Sequence, residues 1–364
     1  MDDVVIPTGA ALTPPRALRH RDRQVSTYTE LARRVREAGL MSRRRGYYWP
    51  RMAAAALALG AVATGVVLVG HSWWVLLLAA ALALVVTQCA FLGHDGAHRQ
   101  IFASPRANEW AGRVFASLVA GLSYGWWTGK HTRHHQAPNQ LGVDGDVEPG
   151  ALSFTVEAAE SRRGALRWLT RHQGWLFFPL LLLEGVNLHV ASATRLLRGR
   201  SVRGRWVDVA MIAGHWGAYL SVLLLLLSPG KAAAFLAVHL AVFGVSMGGA
   251  FAPNHVGMPV VARGAKVDFL RRQVLMSRNV RGGALVRTVM GGLELQVEHH
   301  LFPSMPRPNL RRAQPLVRAY CAEQGVLYTE TTLWGAYRAV VTHLDRVGLA
   351  ARGATTCPLA AQLR

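Results

Sequence analysis

The sequence predicts an all-α integral membrane protein, with four transmembrane helices in two hairpins and a cytoplasmic helical cap holding a histidine-rich site. Three observations carry that expectation. Of the 364 residues, 51% are hydrophobic and only 17% charged, which is unusual for soluble domains of this length. Four apolar stretches of near-spanning length, 52–70, 73–93, 207–227 and 232–251, stand in two pairs joined by short links. Clusters of histidine fall at or after the ends of these stretches that return to the side on which the chain begins.

Residues 1–51 form a basic segment containing Arg16, Arg19, Arg21, Arg23, Arg33, Arg34, Arg36, Arg43, Arg44, Arg45 and Arg51. Tyr47, Tyr48 and Trp49 lie within it directly before the first apolar run, the composition of an interfacial anchor on the cytoplasmic side. No short apolar core with a cleavage site precedes them, so a removable signal peptide is not expected. The pair 52–70 and 73–93 is separated only by His71 and Ser72, a tight hairpin that brings the chain back inside at His94. The mixed stretch 101–130 reads as an interfacial or re-entrant helix. The apolar stretch 175–190 is interrupted by Glu184, Asn187 and His189 and runs into Arg195, Arg198, Arg200, Arg203 and Arg205. By the positive-inside rule those arginines are cytoplasmic, so 175–190 is expected to return to the side it began on. The second hairpin, 207–227 and 232–251, turns at Ser228-Pro229-Gly230-Lys231 and re-emerges at His255. From about 260 the chain is polar and basic, and Tyr320 to Val347 alternates like a cytoplasmic cap helix. The domain boundaries are therefore 1–51, a membrane domain over 52–347, and a tail over 348–364.

The formal net charge is +21, yet the basic residues form no recognisable nucleic-acid module, so lipid and acidic substrates are the expected partners rather than DNA or RNA. Cys89, Cys321 and Cys357 are widely separated and suggest neither a disulfide framework nor a thiolate zinc site.

Helical spacing puts His94 with His98, His131 with His134 and His135, and Gln296 with His299 and His300 on shared faces, and His255 joins them at the same depth. Eight imidazoles at one membrane face would leave many polar nitrogens unsatisfied unless something binds them. Imidazole suits iron, zinc, copper or nickel, and eight overfill one catalytic zinc while suiting two metals at about four each. Lone histidines such as His215 and His239, inside apparent spans, read as satisfied core residues.

The runs His94-Asp95-Gly96-Ala97-His98, His131-Thr132-Arg133-His134-His135 and Gln296-Val297-Glu298-His299-His300 resemble the three histidine boxes of the membrane fatty acid desaturases. The third box, followed by Leu301-Phe302-Pro303, is similar to that of the linoleoyl-CoA or front-end branch, whose bacterial members carry a pair like Asn254-His255. The resemblance spans roughly residues 45–345. It implies a non-haem di-iron centre that uses molecular oxygen and two electrons to remove two hydrogens from an acyl chain, with His94, His98, His131, His134, His135, His255, His299 and His300 as iron ligands. Gln296, Asn254 and His189 are further candidates as ligands or neighbours of ligands, Asp95 and Glu298 as carboxylates that orient a ligand imidazole, and Tyr124, Trp126 and Trp127 as tunnel lining or interfacial belt. No His-Pro-Gly-Gly haem motif is present, so a ferredoxin or a flavin or iron–sulfur reductase is the implied electron donor. The acyl group would arrive on coenzyme A, an acyl carrier protein or a lipid, at the cytoplasmic face of the cell membrane. A di-iron hydroxylase or acetylenase on the same scaffold is the alternative, followed by a membrane zinc hydrolase and a non-enzymatic receptor or transporter.

Overall fold

The computed structural model describes residues 27–199 and 202–351. Arg16, Arg19, Arg21, Arg23, Arg200, Cys357 and the expected tail beyond residue 351 lie outside the described residues. Helix α1 (Thr27–Glu37) precedes a hairpin of α2 (Arg45–Val69) and α3 (Val75–Ala97). Next, α4 (Pro105–Arg113) runs on as a π-helical segment, Val114–Val119, and α5 (Tyr124–Gln136) follows it. The short α6 (Val156–Glu160) and α7 (Gly164–Arg171) lead into α8 (Gln173–Arg198), and α9 (Arg205–Leu226) with α10 (Pro229–His255) makes the second hairpin. The remainder is α11 (Phe269–Leu275), β1 (Asn279–Arg281), α12 (Ala284–Met290), a 3-10 turn at Leu293–Leu295, α13 (Gln296–Leu301), α14 (Arg307–Glu323), β2 (Glu330–Thr332) and α15 (Leu333–Ala351). Among the described residues the only strands are β1 and β2, which pair in parallel over three residues. The cap helix expected over Tyr320 to Val347 is two helices, α14 and α15, separated by β2.

Among the described residues five helices are long and apolar enough to cross a membrane, not four: α2, α3, α8, α9 and α10. The additional one is α8, which continues through Glu184, Asn187 and His189 for 26 residues. Lipid can satisfy none of the backbone polar groups, so apolar runs of this length close their hydrogen bonds internally as helices. Pro229 occupies the first turn of α10, where its missing N–H costs no helical bond.

The two hairpins pack together at their turns, where Val62, Val66, Val75 and Ala79 meet Leu223, Leu227, Ala232 and Phe235. Lys231 Nζ donates to the Gly70 carbonyl there. At the opposite end of the bundle the cap has its own core, with Leu31 and Val35 of α1, Leu270 and Val274 of α11, Leu301 of α13, and Leu310, Val317 and Tyr320 of α14. The histidines lie between bundle and cap.

Both ends of α8 are tied to that histidine end. Gln173 Nε2 donates to the carbonyls of Ser153 and Leu344. At the far end, Ser192 Oγ accepts from the Ser123 backbone N–H, and Arg205 donates to the Leu197 carbonyl. Midway, α8 crosses α10 at backbone contact: a Cβ on Gly185 would lie 2.1 Å from the Leu240 oxygen, and one on Gly244 would lie 2.4 Å from the Leu181 oxygen. The π-helical segment ends among apolar helices, and imidazoles meet its terminal carbonyls. His215 Nδ1 is 3.0 Å from the Leu118 oxygen and His189 Nε2 is 3.1 Å from the Ala120 oxygen. This answers the demand that carbonyls at a buried helix end find donors.

Candidate metal centre

His94, His98 and His255 are delivered by the ends of α3 and α10, His131, His134 and His135 by the second half of α5, and His299 and His300 by the short buried α13. Packing of α4 against the end of α3 needs the absence of side chains at Gly96, where a Cβ would stand 2.9 Å from the Asn108 oxygen and from the Gly112 nitrogen. Ser123 caps α5, its Oγ accepting from the Trp126 N–H, and the buried Asp208 carboxylate of α9 accepts from Ser123 Oγ and from the Gly125 N–H. Asp208 also pairs with Arg113, so one anion fastens α4, α5 and α9 together. The end of α10 is held by Arg278, whose guanidinium donates to the carbonyls of Pro253 and Val256. The third box occupies α13, six residues that are all buried, and Asn279 Oδ1 accepts from the Val297 N–H near its start.

The structure brings eight of the expected imidazoles into one cluster. The ligand-capable nitrogens of His94, His98, His131 and His299 lie within 4.8 Å of one another, and those of His134, His255 and His300 form a second group by the same measure. His135 stands between the groups: its Nε2 is 3.0 Å from His131 Nε2, and its ring stacks on His300 at 4.2 Å. Gln296 joins the second group, with its Nε2 2.9 Å from His255 Nε2.

This arrangement fits a pair of cations. His131 Nε2 also lies 2.9 Å from His98 Nε2, so three ring nitrogens converge where neutral imidazoles cannot all donate. The buried His94 Nε2, His299 Nε2 and His300 Nε2 find no hydrogen-bond partner, nor does Gln296 Oε1. Burial, reinforced by the neighbouring rings, holds His131, His135, His299 and His300 well below the usual histidine pKa, in the neutral form that binds metal.

Outer partners orient several rings. His134 Nδ1 donates to Asp144 Oδ2 at 2.9 Å, and the same oxygen accepts from the Asn139 N–H. Burial disfavours the charged form of His134, but the Asp144 carboxylate outweighs it and leaves that pKa raised. His255 Nδ1 donates to the Met276 carbonyl, and His300 Nδ1 donates to Gln273 Oε1, whose amide nitrogen in turn donates to the His135 carbonyl. Each leaves its Nε2 lone pair facing the cluster. Asp144, Gln273 and Met276 are absent from the expectations drawn from sequence, because nothing in their local spacing marks them.

The other expected residues take distinct places. Asp95 Oδ2 pairs with Arg307 at 2.6 Å, while Oδ1 is 3.5 Å from His94 Nδ1. Glu298 binds no imidazole: it accepts from Asn279 Nδ2 and Tyr328 OH, both at 2.7 Å, and burial pushes its carboxyl up to about 6. Asn254 is buried and donates to the Ala250 carbonyl, while its Oδ1 is unpartnered. His189 stands outside both groups, with its ring nitrogens on the carbonyls of Gly185 and Ala120.

An apolar cavity of about 300 Å³ opens beside the cluster. His94, His131, His134 and His255 line it, and its wall continues to Leu181, Leu188 and Met247 among the long helices. Trp126 and Trp127 are part of the lining, and Trp127 stacks on His131 at 4.3 Å. Tyr124 is not; its ring packs against Gly112 and lies 5.1 Å beneath the Arg113 guanidinium. Lys130 and Asp146 form an ion pair in the same wall. Metal-competent imidazoles beside an apolar cavity would set a bound metal against an apolar ligand held out of water.

Comparison with known proteins agrees with this chemistry. The family described as fatty acid desaturase matches residues 71–332. The chain is 31% identical over 286 residues to an acyl-lipid (9-3)-desaturase of Physcomitrium patens, covering 76% of this chain and 54% of that one. It is 27% identical over 352 residues to a delta(8)-fatty-acid desaturase of Helianthus annuus, covering 92% and 77%. With fatty acid desaturase 3 of Bos taurus it shares 30% identity over 287 residues, covering 76% and 62%.

Proposed function

Because the chain belongs to the fatty acid desaturase family, we propose that it is an oxygen-dependent fatty acyl desaturase with a non-haem di-iron centre. The observation that carries this reading is the meeting of eight imidazoles, in groups sized for two metals, with an apolar cavity of about 300 Å³. His94, His98, His131 and His299 would hold one iron, and His134, His255 and His300 the other, with His135 between them. When bound, the irons supply oxygen activation and the oxidising power for C–H cleavage. Overall, the acyl chain gives up two hydrogens to form the double bond, and these, two electrons from a donor and two protons convert one oxygen molecule to two waters.

The chain's own residues position and desolvate. Leu181, Leu188, Met247 and Phe251 line the slot in which the acyl chain would lie, excluding water from the reacting carbons. Trp127, stacked on His131, fixes one wall and one ring together. Asp144, Gln273 and the Met276 carbonyl hold the Nδ1 protons of three rings, so that their Nε2 atoms point inward.

The electron donor is a separate ferredoxin or a flavin or iron–sulfur reductase, and the acyl group arrives on coenzyme A, a carrier protein or a lipid. The protein sits in the cell membrane with termini and histidines on the cytoplasmic side. It crosses with α2, α3, α9 and α10, while α8 enters and leaves on the histidine side, a topology supported by the contacts at both of its ends.

Expression in a host with a compatible reductase, followed by mass spectrometry of total acyl chains and metal analysis of the purified protein, tests this reading. The expected result is a new acyl species lighter by two hydrogens and about two irons per chain. A hydroxylated chain as main product would move the assignment to a hydroxylase, and stoichiometric zinc with full activity would overturn it.

A further inference from the structure

A groove of about 550 Å³ opens where the chain enters α2, and Arg43, Arg44, Arg45, Tyr47, Asn309 and Arg312 line it. Four guanidinium groups therefore share one concavity. Arg43 donates to the carbonyls of Arg99 and Ser304, and Arg44 Nε donates to Asn309 Oδ1, so both rest on neutral oxygens. Among the described residues no acidic side chain forms an ion pair with any of the four. Nearby acidic groups are engaged elsewhere: Asp95 of α3 with Arg307, and in the cap Glu323 with Arg34 and Glu330 with Arg318. Gathering like charges without counter-charge is unfavourable, and a concave cationic surface concentrates anions.

Depth identifies the source of the anion. Arg45 is the first residue of a candidate span, and one turn below it Trp49 is 58% exposed. The Arg51 guanidinium lies 3.4 Å over the Tyr47 ring, an aromatic and basic grouping that belongs at headgroup level. Beneath the groove the face of α2 is unpartnered and apolar, with Leu57, Val67 and Leu68 more than half exposed. Arginine recognises phosphate oxygens bidentately.

We propose that this groove binds the phosphate of an anionic phospholipid, with Arg43, Arg45 and Arg312 as its counter-charge and its acyl chains laid along the exposed face of α2. The site is independent of the chemistry at the metal centre.

The test uses the full-length, metal-loaded protein in nanodiscs of phosphatidylcholine with or without phosphatidylglycerol, compared with Arg45→Gln/Arg312→Gln. Both substituted side chains are exposed and touch no histidine. Mass spectrometry of retained lipid is expected to find phosphatidylglycerol enriched on the parent, and the double variant to bind it roughly tenfold to thirtyfold more weakly with iron content unchanged. Arg45→Lys/Arg312→Lys should keep part of the affinity. Equal retention of phosphatidylglycerol by parent and Gln variant, or equal retention of phosphatidylcholine and phosphatidylglycerol, overturns the site. Displacement of the lipid by micromolar coenzyme A would instead assign the groove to a soluble phosphorylated ligand.

Discussion

Asp144→Asn keeps the shape of the side chain while removing the charge toward which His134 Nδ1 donates. The carboxylate does three things, accepting from His134 Nδ1 and from the backbone N–H groups of Asn139 and Asp146. Outer partners of metal-bound histidine are typically worth about 10- to 100-fold in metal affinity or activity, and a loss of that size is expected for Asp144→Asn, read from iron content and turnover together. Full iron and full activity would make Asp144 merely a loop staple. Gln296 presents a sharper choice. Its amide nitrogen approaches the Nε2 lone pair of His255 while its Oε1 is buried without a partner. If it orients His255, Gln296→Ala should keep most of the iron and lose activity by about 10- to 100-fold; loss of one iron per chain would make it a ligand. Seven of the candidate histidines were legible in the sequence because helical spacing puts them on common faces, and His255 because it stands at the end of an apolar stretch; their role as iron ligands came from the resemblance. Asp144, Gln273 and Met276 were not, since each reaches its ring across a turn or from another element.

The crossing of α8 and α10 depends on two glycines, and substitution there sets two effects against each other. Replacing a helical glycine by alanine gains about 1 kcal/mol of helix propensity. At Gly185 and Gly244 the added Cβ meets backbone oxygens at 2.1 and 2.4 Å, which no rotamer change can relieve. Overpacking of this kind costs about 1–3 kcal/mol, so Gly185→Ala and Gly244→Ala should lower the thermal midpoint. Gly214→Ala on α9, with nothing within 4 Å of its Cβ, should be neutral or slightly stabilising. Equal midpoints for all three would mean the helices do not cross this closely. The hairpins α2–α3 and α9–α10 could be placed from composition, whereas α8 could not. Glu184, Asn187 and His189 make it look interrupted, yet His189 faces the Ala120 carbonyl and Glu184 accepts from Asn187 beside the cavity. Polar residues that serve as local donors or cavity walls leave the same trace in a sequence as the end of a span.

At the scale of the whole molecule, five candidate spans and one histidine cluster are compatible only if one of the helices does not cross. Were α8 to cross, the chain would reach Arg203 on the outside, and α9 and α10 would follow with inverted direction. His255 at the end of α10 would then face the exterior while His94 at the end of α3 faced the cytoplasm. The contacts oppose this, because Asp208, five residues after Arg203, binds Ser123 and Gly125 at the start of the helix that carries His131. Single cysteines placed at Ser72, Gly230, Lys130 and Arg203, in a background with Cys89, Cys321 and Cys357 replaced, convert the argument into a measurement. Ser72 and Gly230 should react with a membrane-impermeant maleimide from outside. Lys130 and Arg203 should react only after the membrane is opened, with Arg203 the most informative because its side chain is 83% exposed and its reactivity reports sidedness rather than burial. Labelling of Arg203→Cys from outside would make α8 a true span and could not be reconciled with His255 and His134 sharing one site. The arginines at 195, 198, 200, 203 and 205 supply the physical reason for the expected result, since translocating five guanidinium groups within eleven residues opposes the charge bias that sets membrane orientation.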